Sequence, residues 1–189
     1  VRRQRQMCIR DRLKTINDAI DGAIDIPSKL VALSSTADVL AAALAGTVRE
    51  VTTGNKITGN VTITDTPTEV ELQTINNGTT ASIQIPAANQ AFTASASVLA
   101  EALTGTVTGP LAAALSGTVT VNNGAGTNVA ATLLSTIAAG TGGGVTVSAA
   151  VNITGDTSEV IAALDTAGVL ATTATVSYTH LTLPTNGTV

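Results

Sequence analysis

The sequence predicts an α/β fold built as an open solenoid, with short parallel strands on one side and short helices on the other. Three observations predict it. The phrase Val39-Leu40-Ala41-Ala42-Ala43-Leu44-Ala45-Gly46-Thr47-Val48 recurs as Val98-Leu99-Ala100-Glu101-Ala102-Leu103-Thr104-Gly105-Thr106-Val107, and shortened as Leu111-Ala112-Ala113-Ala114-Leu115-Ser116-Gly117-Thr118-Val119. A second phrase, Val61-Thr62-Ile63-Thr64-Asp65-Thr66-Pro67-Thr68-Glu69-Val70, is echoed by Val151-Asn152-Ile153-Thr154-Gly155-Asp156-Thr157-Ser158-Glu159-Val160. Within each unit the apolar period switches from two residues to about 3.6 and back, as strand, helix and strand require. Strand–helix–strand is a parallel crossover, nearly always right-handed. An all-β right-handed β-helix is the alternative, because the Thr, Val and Gly content suits it and the helices span only about two turns each.

Four segments follow in order. Residues 1–12 are set apart below. Residues 13–30 carry Leu13, Ile16, Ile20 and Ile24 at helical spacing, an amphipathic helix that Pro27 ends. Residues 31–175 hold the repeats. Val39, Leu40 and Leu44 share a helical face, as do Val98, Leu99 and Leu103, and Gly46, Gly105 and Gly117 stand where a C′ glycine ends a helix. Val61-Thr62-Ile63-Thr64 alternates as a half-buried strand. Thr66-Pro67-Thr68-Glu69 matches a capping box with Thr66 as the cap and Pro67 at the first helical position. Asn128 to Ala139 reads as helix, ended by Gly142-Gly143-Gly144. Asp156-Thr157-Ser158-Glu159 repeats the box with Asp156 as cap, and Val160, Ile161 and Leu164 follow on one face. Copies stand about a dozen to about thirty residues apart, so the array is degenerate.

The two ends read differently. The DNA string ATGTGTATAAGAGACAG encodes Met7-Cys8-Ile9-Arg10-Asp11 and opens the codon of Arg12. Its reverse complement, after closing the codon of Thr175, encodes Val176-Ser177-Tyr178-Thr179-His180. Residues 1–12 and 176–189 therefore resemble a translated transposon-type sequencing adapter, which would make the middle an internal fragment, and both are set aside from fold reasoning. They contain the only Cys, Met, His and Tyr, and five of the nine basic residues. The middle keeps 4 basic residues against 12 acidic ones, a net charge of −8. A basic arm on an acidic body would suggest nucleic acid; without the arm no nucleic-acid partner is expected. No apolar run reaches the ~18 residues of a membrane helix.

Without His or Cys in the middle, Ser–His, Cys–His and His–metal arrangements are unavailable. Asp65 with Glu69, and Asp156 with Glu159, are the recurring acid pairs. Helix caps and first-turn acids explain their spacing better than acid/base catalysis does. Gly124-Ala125-Gly126 lacks the Lys-Ser/Thr of a phosphate loop and reads as a turn. Calcium is weighed and set aside, because the Gly-Gly-x-Gly-x-Asp nonapeptide is absent. No catalytic, cofactor-binding or metal-binding residue is expected, and no cofactor. Asn60, Asn77 and Asn152 open Asn-x-Thr sequons that so Thr-rich a chain produces by chance. Thr62 with Thr64, Thr106 with Thr108, and Thr118 with Thr120 would form a hydroxyl array if stacked on one face, resembling ice-binding solenoids.

From Val31 to Thr175 the Val/Thr strands, the D-T-x-x-E-V phrase and the V-L-A-x-A-L-x-G-T-V phrase resemble the β-strand repeats of very large adhesin-like bacterial surface proteins. The resemblance implies an extracellular or cell-surface structural or adhesive stalk, not an enzyme. Its partners would be neighbouring repeats of the same parent chain, with self-association through open ends. A ligand-binding solenoid, for ice or carbohydrate, is the alternative. A polysaccharide-degrading β-helix comes third, since it would need several carboxylates converging on one face.

Overall fold

Every strand pairing among the described residues of the computed structural model is parallel. The described residues are 15–16, 19, 24–26, 32–45, 48–50, 56–166, 169–170 and 175–178. In chain order they form β1 (Ile24–Ile26), β2 (Ala32–Ser35), α1 (Ala37–Leu44), β3 (Val48–Glu50), β4 (Asn60–Ile63), α2 (Glu69–Gly78), β5 (Ile83–Gln84) and β6 (Phe92–Ala94). Then come α3 (Ala96–Leu103), β7 (Val107–Thr108), β8 (Val119–Val121), β9 (Asn128–Ala130), α4 (Ala131–Ala139), β10 (Val145–Val147), β11 (Asn152–Gly155), α5 (Thr157–Ile161) and β12 (Thr175–Tyr178). The sheets run β1-β3, β2-β4-β5-β7, β6-β8-β10 and β9-β11-β12. These helices exclude the all-β alternative.

The strands stack like on like. Leu33 stands opposite Val61, Val61 opposite Ile83 and Ile83 opposite Val107, at separations of 28, 22 and 24 residues. Phe92, Val119 and Val145 form a second column, Val129 and Ile153 a third. All of these side chains are buried. Neighbouring strands lie about 4.8 Å apart, so each layer of core is one side chain thick. Val, Ile and Leu fill such a layer, and among the residues whose burial is described Phe92 is the one buried aromatic.

The helices pack on their neighbours in chain order: α1 on α2, α2 on α3, α3 on α4 and α4 on α5. The V-L-A phrase explains why. Ala37, Leu40, Ala43 and Leu44 in α1 and Ala96, Leu99, Ala102 and Leu103 in α3 occupy the same helical positions, and all eight are buried. Leu72 and Ile75 do the same for α2, Leu134 and Ile137 for α4. Unequal intervals are absorbed by sliding. In one sheet β2 and β4 directly precede α1 and α2, whereas β5 and β7 follow α2 and α3.

Several expectations are corrected. The third V-L-A copy is not a helix: Pro110–Ala112 makes a 3-10 turn in which Leu111 and Ala112 have φ of 56° and 59°. Gly109 and Pro110 stand where α1 and α3 have an uninterrupted first turn, and of Leu111–Ser116 only Leu115 is buried. Gly117 is therefore no C′ residue; a Cβ there would lie 1.8 Å from the Gln90 carbonyl oxygen, so a close approach of two backbones requires it. Gly105, by contrast, follows the α3 C-cap Thr104 with φ of 86°, as a C′ glycine does.

The first capping box sits two residues later than expected. Thr68 caps α2 and Glu71 closes the box, while Pro67 is buried outside the helix. Asn128–Ala130 is strand rather than helix, because it pairs with β11. Ile161 is 53% exposed, so it leaves the apolar face formed by Val160. Thr15, Ile16 and Ala19 are helical, but Ile24 is in β1 opposite Val48. Ile24-Asp25-Ile26 alternates with β-branched residues, which favours strand over one more helical turn. Leu13, Ile20, Pro27 and Gly46 lie outside the described residues, as do residues 1–12. Of residues 176–189 only Val176–Tyr178 is described, as part of β12 beside β11.

Candidate functional site

Three of the four paired acids hold helix starts, and the fourth, Glu69, holds a strand N–H. Asp65 Oδ1 accepts from the Ala37 N–H at 2.7 Å, so it caps α1, the helix of the preceding repeat. Asn123 Oδ1 does the same for α3, accepting from Ala96 N–H at 2.8 Å. The residues at the α1 and α3 N-caps, Thr36 and Ser95, make no side-chain cap bond. Glu69 Oε1 accepts from Thr93 N–H at 2.6 Å. Asp156 caps its own helix: its Oδ1 accepts from Glu159 N–H, and Glu159 Oε2 accepts from Asp156 N–H, each at 2.9 Å. The Ser158 hydroxyl and the Glu159 N–H hold the Asp156 carboxyl below its ordinary value. Among the described residues no three His, Cys, Asp or Glu side chains converge as a metal cluster.

The other sequence candidates separate as well. Gly124-Ala125-Gly126 is a turn, with Gly126 at φ of 74° and Thr127 N–H bonded to the Gly124 carbonyl. Strand β9 follows it, so no helix N-terminus is there to receive a phosphate. Two sequon amides are engaged: Asn77 Nδ2 donates to Glu101 and Asn152 Nδ2 to Gly126 and Asn128. The Thr-x-Thr segments do not share a face. Thr62 and Thr108 belong to the β2-β4-β5-β7 sheet, whereas Thr120 stacks between Thr93 and Thr146 in the β6-β8-β10 sheet. Strand β8 pairs with β6 and β10 rather than with β7, which divides the array.

What composition did not single out is a groove centred on Thr106. On the outer face of β4, β5 and β7, a hollow of about 250 Å³ is lined by Asn60, Thr62, Ser82, Gln84, Thr106 and Thr108, with Ala112 at its wall. Thr62, Gln84 and Thr108 are in register across the three strands. Asn60, Ser82 and Thr106 stand two residues earlier and so face the same way. None of the groove's lining residues is charged. The Pro110–Ala112 turn forms one wall, tied by Gly109 N–H to the Ala113 carbonyl at 2.7 Å. Leu111 on that turn is 98% exposed. Two consecutive left-handed residues other than glycine cost roughly 1–2 kcal/mol each.

Two further hollows adjoin it. One of about 330 Å³ shares Thr106, Thr108 and Ala112 and extends to Gly140 and Thr141. The other, of about 240 Å³, shares Thr106 and carries Lys56 and Glu101. There the amides are already committed: Asn77 and Gln73 donate to the Glu101 carboxylate and hold it below its ordinary value, and Asn76 Nδ2 donates to the carbonyls of Glu101 in α3 and of its C-cap Thr104. No described helix is long and apolar enough to cross a membrane. Comparison of the chain with protein-family profiles, with curated proteins and with solved structures finds no match in any of the three.

Proposed function

We propose that this chain is a non-enzymatic structural or adhesive repeat segment of a large extracellular bacterial surface protein, folded as an open solenoid. The supporting observation is the nearest-neighbour pattern. Strands 22 to 28 residues apart register in parallel, and each helix packs on the next one in the chain. Stacking of that kind makes stability a sum over repeats and interfaces, which suits a stalk. Caps supplied by the following repeat, Asp65 to α1 and Asn123 to α3, tie neighbours further. On this reading neighbouring repeats of the parent chain are the natural partners, the ends are open to self-association, and residues 1–12 and 176–189 are adapter-encoded.

Pulling single molecules from both ends tests it. Each released repeat of 22 to 28 residues should lengthen the chain by roughly 70–100 Å. Stepwise release in such increments is the expected outcome, and one all-or-none release of the whole length would overturn it. A second reading, a carbohydrate-binding solenoid, is favoured by the groove over β4, β5 and β7. Ice binding is not, because the threonine segments divide between two sheets.

A further inference from the structure

We infer that the outer face of β4, β5 and β7 is a binding groove for a neutral, hydroxyl-rich chain, a glycan. Six side chains present alcohol or amide groups there: Asn60, Thr62, Ser82, Gln84, Thr106 and Thr108. Among the described residues, none of these six side chains has a hydrogen-bond partner. That sets them apart from the polar side chains just around the corner, where Gln73, Asn76, Asn77 and Thr79 are all bonded internally. Hydroxyls and amides both donate and accept, which matches sugar hydroxyls in either sense.

The lining also selects against other occupants. An anionic ligand would meet no cation in the groove, on a segment whose net charge is −8. An apolar peptide would strip water from six polar groups and return no hydrogen bonds. Ice requires a flat, evenly spaced array, but the row Ser34, Thr62, Gln84, Thr108 mixes serine, threonine and glutamine, and the Pro110–Ala112 turn rises beside it. That turn supplies a wall and, in Leu111, an apolar edge for the C–H face of a sugar ring. The adjoining hollow past Thr108 and Ala112 continues the path towards Gly140, so the groove suits a chain rather than a single sugar.

The full chain is applied to a printed panel of neutral hexose oligosaccharides and of sialylated and uronate-containing ones. Retention on neutral oligosaccharides, with none on acidic ones, is expected. The triple variant Thr62→Val, Gln84→Leu, Thr108→Val should lose at least tenfold in retention, with its circular dichroism and melting midpoint unchanged. Leu111→Ala, at a fully exposed position, should weaken retention without touching the core. The proposal is overturned if no neutral oligosaccharide is retained, if acidic ones are preferred, or if the triple variant binds as well as the parent. Ice-growth inhibition lost in the triple variant, with no glycan retained, would assign the face to ice instead. None of these outcomes bears on stepwise unravelling, so the stalk reading stands or falls separately.

Discussion

Ala37 and Ala96 open equivalent helices, and each has its N–H bonded by a side chain from the next repeat. The Asp65 carboxylate is a better acceptor than a neutral hydroxyl and complements the positive helix start. Asp65→Ala should therefore cost about 0.5–2 kcal/mol in urea denaturation, although Asp65 belongs to no helix. Thr66→Ala should leave the midpoint unchanged; equal losses from the two would restore Thr66 as a cap. The sequence contains two overlapping boxes, one from Thr66 to Glu69 and one from Thr68 to Glu71. Burial of Leu72 and Ile75 selects the second, and Gln90 Nε2 takes the Pro67 carbonyl at 2.8 Å. Local pattern alone does not contain that choice, nor a cap 28 residues away. Asp156 was legible because its box is self-contained.

Acid should loosen the contacts of Asp156 and Glu101. The Asp156 and Glu101 carboxyls are both held below their ordinary values by hydrogen bonds. A depressed carboxyl adds stability above its unfolded value and loses it as pH falls through the folded one. Melting midpoints should hold constant at neutral pH and fall only below the ordinary carboxylate range. A midpoint that rises there would reverse the assignment. Calcium bears on the same groups. If Asp65, Glu69, Asp156 and Glu159 serve these backbone N–H groups and hold no ion, melts with millimolar calcium and with chelator should superimpose, since a ligand of the folded state would raise the midpoint by mass action.

At the scale of elements, the V-L-A phrase was legible wherever eight residues run without interruption. It failed at Leu111 because Gly109 and Pro110 replace the first turn. The difference is testable from opposite sides. Leu111→Gly removes an exposed side chain from a left-handed position. Relief of strain should exceed the ~0.5–1 kcal/mol entropic penalty of glycine, raising stability by up to about 1 kcal/mol. A loss would mean that Leu111 packs on something. Gly117→Ala should instead cost about 1–3 kcal/mol through overpacking against Gln90, despite the higher intrinsic helix propensity of alanine. The strand columns were legible from Val/Thr alternation. Which columns share a sheet was not, because 22-residue and 28-residue intervals slide strands past helices by amounts that only packing decides.

At the scale of the whole molecule, the proposed open solenoid would leave a terminal layer at each end with an uncovered stacking surface. Strand β12 lies on the β11 edge through Thr175–Tyr178, so Val176-Ser177-Tyr178 covers part of that edge whatever its origin. An unpaired strand edge is a template for backbone pairing by any extended segment. Deleting residues 1–12 and 176–189 together should leave the thermal midpoint within error. A fall of more than ~2–4 °C, equivalent to about 1 kcal/mol for a chain of this length, would show that the ends belong to the core. The same deletion uncovers the edge of β11, and sedimentation velocity should then show concentration-dependent association stronger than in the full chain. Charged residues are the usual guard of such edges, and β11 has none, its four residues being Asn152, Ile153, Thr154 and Gly155. Placing lysine at Asn152 or Thr154, both partly exposed, should suppress the association with little change in the melt. A deleted chain that stays monomeric at high concentration would mean that its stacking surface closes on itself, and the open-ended solenoid would have to be abandoned.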